Sequence, residues 1–246
     1  MRAAREAYVR VEQWRQAIDQ IMVAECLLFA NSVPRADHLS GPTTPLDRTY
    51  YLRHRIETVR RIWETARTDA LALSVMVRED YEAARYWAEY LREEMNHDKL
   101  YLGDLGRHGI SRDLVSTTPP FASTLDLIAT LERRIMEFGS LPAVAYSVFV
   151  EWNSRHASPL AAARAAEAFG QNCVNGARAH IAIDERDHHD EMMLAVATRV
   201  MGARNYSTGL LATLLSEVGA LLRAYFVELD GYSSAMSVRL IRTSKS

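Results

Sequence analysis

Apolar residues recur three and four positions apart over long stretches of this chain, and most of the prolines and glycines fall between those stretches. That spacing lays apolar side chains along one face of an α-helix. Over residues 6–31, Val9, Trp14, Ile18, Ile21, Met22, Cys26 and Phe29 make one stripe. Residues 32–46 hold Pro34, Pro42, Pro45 and Gly41 and read as a surface loop. A second helix is expected over 46–77, with Leu52, Ile56, Val59, Trp63, Ala66, Ala70 and Leu73 inward. Arg53, Glu57, Arg60, Arg61, Glu64 and Arg67 make up its charged side. Asp80 can cap a third helix that reaches Leu105, with Gly106 and Gly109 ending it.

Thr117-Thr118-Pro119-Pro120 is a further break. The pattern then predicts a helix over 124–138 closed by Gly139, a short apolar helix over 141–153, and an Ala-rich helix opened by Ser158-Pro159. One long helix is expected over 173–201 and a last one over 207–230, ended by Gly202 and Gly231. Residues 1–5 and 232–246 read as frayed ends. No period-two alternation and no internal repeat appears. The expectation is an all-α chain of seven to eight helices in a single bundle-like domain over 1–246.

Composition narrows the function classes. The chain has 246 residues, 48% apolar, which excludes wholesale disorder. Lys plus Arg total 29 against 31 Asp plus Glu, so no excess of cations points to nucleic acid. Two cysteines, Cys26 and Cys173, cannot build a disulfide framework or a zinc ribbon and suit a reducing compartment. No run of about 18 uninterrupted apolar residues and no secretion signal is seen, so a cytoplasmic protein without a membrane partner is expected.

The chemistry lies on helices. In Glu93-Glu94-Met95-Asn96-His97-Asp98, Glu94 and His97 share a face about 60° apart, beside Tyr90, Leu91 and Tyr101. An isolated Glu-x-x-His is commonly a surface ion pair. The run from His180 to Glu191 is richer. Relative to His180, Asp184 lies at about +40°, Asp187 at about −20° and His188 at about +80°. Ile181, Ile183, Met192, Met193 and Leu194 mark that helix as mostly buried. So many acids and imidazoles there need compensation, which metal coordination supplies. Glu151, bracketed by Val148, Val150 and Trp152, is expected to be buried, either as a bridging carboxylate or paired with Arg155. Glu25 looks buried; Glu57 reads as part of a surface ion pair. Hard oxygen donors and imidazoles without thiolates suit iron or manganese.

On these residues the chain resembles the heme-oxygenase-like diiron oxidases, relatives of the thiaminase and pyrroloquinoline-quinone synthase fold. Glu93 to Leu105 looks like that family's third-helix pattern, Glu151 like its lone mid-chain glutamate, and His180 and Asp184 like part of its His-x3-Asp-x2-His. The resemblance implies a heme-oxygenase-like bundle holding two Fe(II) ions, with Mn possible, that uses O2 to oxidise a small-molecule substrate. An amino acid, amine or fatty acid would undergo N-oxygenation, desaturation or oxidative C–C cleavage. The implied ligands are Glu94, His97, Glu151, His180 and Asp184, with Asp187 or a bulge-shifted His188 last. Glu64 stands nearest to the expected second-helix glutamate, among arginines. A homodimer is the analogous assembly. The competing readings are a ferritin-like diiron bundle using Glu185 and His188, a thiaminase-like hydrolase using Cys173, and a helical binding protein with a structural polar cluster. Arg155 or Arg178 could hold a substrate carboxylate.

Overall fold

A computed structural model describes residues 2–41 and 45–243, with side chains described from Glu12 to Met236 apart from the gap. Val9, assigned above to the first stripe, lies outside the described side chains. The described residues form helices α1 (Arg2–Ser32), α2 (Arg48–Glu79), α3 (Tyr81–Arg107), α4 (Arg112–Thr117), α5 (Ala122–Phe138), α6 (Leu141–Phe169), α7 (Asn175–Asp187), α8 (His189–Arg204) and α9 (Thr208–Thr243). A 3-10 turn, Gln171–Val174, joins α6 to α7, and no strand occurs among the described residues.

Local chemistry explains the boundaries. The Asp47 side chain accepts from the N–H groups of Thr49 and Tyr50 and opens α2. Asp80 ends α2 and opens α3 by accepting from Ala83 N–H at 2.9 Å. Gly139 and Gly170 close α5 and α6 at φ +67° and +98°, which L side chains rarely adopt.

Four expectations are corrected by tertiary context. The two helices anticipated over 141–170 are one, α6, with Pro159 inside it. Pro159 sits on the exposed face, where water can satisfy the carbonyl it frees. Val148, Phe149, Ala162 and Ala165 bury the same helix on both sides of it. The single helix anticipated over 173–201 is broken at His188, which lies in the left-handed region at φ 53°, ψ 47°. Ser111 caps the unanticipated α4 by accepting from Leu114 N–H. Finally, α9 runs through Gly231 to Thr243 where a frayed tail was expected.

α2 and α3 pack along one another, α6 meets α5, α7, α8 and α9, and α1 lies on α8 and α9. The larger core gathers Met22, Met76, Trp87, Val144, Met193 and Leu215. A second gathers Tyr51, Ile56, Tyr101, Leu105, Ala165 and Ala177 between α2, α3, α6 and α7. Thr208–Met236 is long and apolar enough by length and composition to cross a membrane. Leu211, Leu215, Val218, Tyr225 and Leu229 from it are buried against the other helices.

Candidate metal centre

The approach of α7 to α3 sets the site. Gly176 packs so closely that an added Cβ would lie 2.0 Å from the Leu100 carbonyl oxygen. The Asp104 carboxylate accepts from Gly176 N–H at 2.7 Å and Ala177 N–H at 2.9 Å, holding the first turn of α7. One turn on, His180 meets His97, with ring centroids 4.1 Å apart. Asp184 follows on the same face, with Oδ2 2.8 Å from His180 Nδ1. Glu94 and His97 come from α3, Nδ1 to Oε1 at 3.1 Å.

The break at His188 supplies the last donor. It ends α7 and starts α8 one residue later, so His188 is exposed and His189 is 0% exposed. His189 Nδ1 lies 3.3 Å from Asp184 Oδ1 and 3.6 Å from Glu94 Oε1. Of the two residues expected in this place, His188 does not occupy it, while Asp187 joins Glu93 and His189 in a further group of donors within 4.8 Å of one another, beside the sets that hold Glu94. Asp187 is held by Arg186, with one contact at 2.8 Å, and His188 points outward. Glu64 does not reach the centre either: it lies beside Arg60 at 3.5 Å. The ferritin-like set fails on the same ground, because Glu185 and His188 are both exposed.

Donor atoms of Glu94, His97, His180 and Asp184 lie within 4.8 Å of one another, as do those of Glu94, Glu151 and His189. Glu94 belongs to both sets. Buried polar atoms normally find partners. Here Glu94 Oε1, both His97 nitrogens, His180 Nδ1, Asp184 Oδ1 and His189 Nδ1 are buried without a hydrogen bond. Unsatisfied oxygens and imidazole nitrogens converging from three helices, with Glu151 of α6 beside them, are the donor set of a hard or intermediate cation, and the residues fit iron.

Neighbours fix these donors. The Tyr90 hydroxyl donates to Glu151 Oε1 at 2.7 Å, and Ser154 Oγ donates to Asp184 Oδ2 at 2.7 Å. His189 Nε2 lies 2.9 Å from Glu93 Oε2, which leaves Nδ1 facing inward. Burial pushes the Glu94 carboxyl up to about 7, and burial beside Glu94 and Asp184 pushes Glu151 up to about 8. Burial also lowers His97, favouring its neutral, ligating form. For Asp184 burial opposes ionisation, but His180 and His189 outweigh it and hold the carboxyl low. His189 rises to about 9 because contact with Asp184 and Glu93 outweighs its burial. A cleft of about 390 Å³ bordered by Glu151, Ser154, Ile181 and Asp184 reaches the centre from outside.

Sequence reasoning missed His189 and Asp69. Read from its C-terminal side, the α8 stripe of Met193, Val196 and Val200 includes His189 at helical spacing. Asp69 is the α2 acid set deep near Glu94, pushed up to about 8 by burial. Glu25 is a paired core acid, held by Arg223.

Residues 56–222 match the family of iron-containing redox enzymes. A crystal structure of a domain of unknown function with a heme oxygenase-like fold, from Shewanella denitrificans OS217, superposes with a TM-score of 0.74. Its alignment covers 89% of this chain and 93% of that one at 16% identity, a likeness of fold. No curated protein matches significantly. With well over half of its length inside the family match, this all-α, heme-oxygenase-like chain belongs to the iron-containing redox enzymes.

Proposed function

We propose that the chain is a non-heme diiron oxidoreductase that uses dioxygen to oxidise a small metabolite. The observation that carries this reading is the pair of buried donor sets sharing Glu94. His97 and His180 would hold one ion and Glu151 and His189 the other, with Glu94 common to both and Asp184 reaching from the first set to His189. Bound ferrous iron would supply the electrons for reducing dioxygen.

The protein's own residues do the rest. Tyr90 and Ser154 fix the rotamers of Glu151 and Asp184, and Glu93 fixes the ring of His189. Tyr90 stays protonated, because burial pushes its hydroxyl well above the ordinary range, and so remains a donor to Glu151. The surrounding helices bury His97 and His189, which strengthens the charge interactions around them.

The test is anaerobic ferrous titration with metal analysis, followed by exposure to dioxygen under optical observation. Two equivalents of iron per chain and a transient visible band are expected. Less than about a tenth of an equivalent would leave the rival reading of a structural polar cluster.

A further inference from the structure

The cleft beside the metal centre is bordered by charge rather than by apolar surface. Small organic molecules are held by sites lined mostly with apolar and aromatic side chains. Among the described residues around this cleft, Ile181 is the single apolar one. Glu151, Asp184, Glu185, Asp190 and Glu191 bring five carboxyl groups to it, and His188 an imidazole. Its one guanidinium, Arg155, is tied to Asp190. The arginines suggested by sequence as holders of a substrate carboxylate are thus both exposed and engaged, Arg155 in this way and Arg178 with Gln171.

The bordering groups divide into an outer and an inner set. Outside, Glu185 and His188 are exposed, and neither forms a hydrogen bond or ion pair among the described residues. Glu191 is exposed as well, with Arg15 3.7 Å away. Inside stand Glu151, 3% exposed, and Asp184. Tyr90 satisfies Glu151 Oε1, while Oε2 has no hydrogen bond among the described residues. Asp184 Oδ1 is buried without one. Both acids also belong to the donor sets of the metal centre, so the cleft ends on ligand oxygens that lack a partner.

The break between α7 and α8 serves both sets. With His188 at φ 53°, the chain turns one imidazole out to the cleft and the next, that of His189, in to the centre. Size suits an aquated ion. A shell of about six waters at roughly 30 Å³ each occupies some ~180 Å³, and the cleft holds about 390 Å³.

We infer that this cleft is the entry route for the divalent cations of the metal centre. Glu185, His188 and Glu191 collect an aquated ferrous ion from solution, and Asp184 and Glu151 replace its waters as it moves inward. Carboxylates and water are the ligands that hard divalent ions exchange between. A cleft lined by one sign of charge concentrates the opposite ion and raises its association rate by roughly tenfold to a thousandfold. The inference rests on the metal-centre reading and deepens it. No oxidation is part of it, since the ion keeps its charge while water leaves and carboxylate oxygen takes its place.

Two measurements on the metal-free full chain separate the rate of loading from its extent. One is stopped-flow mixing with Co(II), followed through visible absorption. The other is anaerobic ferrous uptake, quenched at intervals with a chelator. At low ionic strength Glu185→Lys/Glu191→Lys should take up metal roughly tenfold more slowly than the parent and reach the same final stoichiometry. Glu185→Gln/Glu191→Gln should be slowed less. The same charge change on α5, Glu132→Lys/Glu137→Lys, should stay within about twofold of the parent, because α5 packs on α2, α6 and α9 and not on the cleft. About 0.5 M salt should bring all four proteins within about twofold of one another.

Uptake by the cleft lysine variant as fast as by the α5 variant overturns the inference, as does parent uptake indifferent to salt. A lowered final stoichiometry in the glutamine variant also overturns it, by making these acids ligands. Should the cleft lysine variant not fold, the glutamine variant decides on the same terms. Slowed loading as described, with no reaction toward dioxygen afterwards, would remove the redox reading and leave the route standing. Full loading and a transient band with unaltered rates would do the reverse. A parent that binds neither Co(II) nor iron ends both.

Discussion

Two glutamates in this molecule, one buried and one partly so, have opposite surroundings. Glu57, 0% exposed between α2 and α5, has both oxygens satisfied. Oε1 accepts from Arg53 at 2.7 Å and Phe121 N–H at 3.2 Å, and Oε2 from Thr124 at 2.6 Å. Glu94 sits among acids and imidazoles whose lone pairs point at one another without hydrogen bonds. The first network is complete and holds two helices together. The second is complete only with something else bound. Burial alone does not separate a structural acid from a ligand; the accounting of its partners does.

The comparison breaks most visibly through stability. Glu57→Ala leaves Arg53 buried without its counter-ion and should cost about 3–5 kcal/mol in urea denaturation, while iron bound per folded chain is unchanged. Gly176→Ala places a Cβ against the Leu100 carbonyl. It should cost on the order of 1–3 kcal/mol and also lower iron content, because α7 carries His180 and Asp184.

The metal centre should behave in the opposite way. Metal-free Glu94→Ala should lie within about 1 kcal/mol of the parent or above it, and should bind little iron. Protons supply a further contrast. In the metal-free protein Glu94 and Glu151 are raised from 4.5 to about 7 and about 8, and His189 from 6.5 to about 9. The folded state therefore binds these protons more tightly than the unfolded chain, and metal-free stability falls as pH rises from about 5 to 9. Iron needs the same donors deprotonated, so its stabilisation grows over that window. The gap in melting temperature between iron-loaded and iron-free protein should widen steadily with pH; a constant gap would contradict the assignment.

The smallest expected effect separates neighbours. His188→Ala should leave iron content intact and shift stability by about 1 kcal/mol at most, whereas His189→Ala should lose iron.

Much of this was legible in the sequence. The spacing of Trp63, Ala66, Ala70 and Leu73 told helix, and Glu94, His97, Glu151, His180 and Asp184 stood out as acids and imidazoles among apolar neighbours. What escaped is what one unbroken period cannot encode. A left-handed residue at His188 resets the phase, so the inward face of α7 does not continue into α8. A count carried across that point favours Asp187 or His188 over His189. Glu57 and Arg61 read as a solvated face because charge at helical spacing usually is one. Their burial comes from α5 and α9, which pack on α2 from far along the chain.

The most direct test of the central claim is iron stoichiometry after anaerobic loading, measured side by side for the parent, Glu94→Ala, His189→Ala and His188→Ala. The account predicts two ions per chain in the parent and in His188→Ala, fewer in His189→Ala, and almost none in Glu94→Ala. Equal loading of all four proteins, or loss in His188→Ala with retention in His189→Ala, would contradict it.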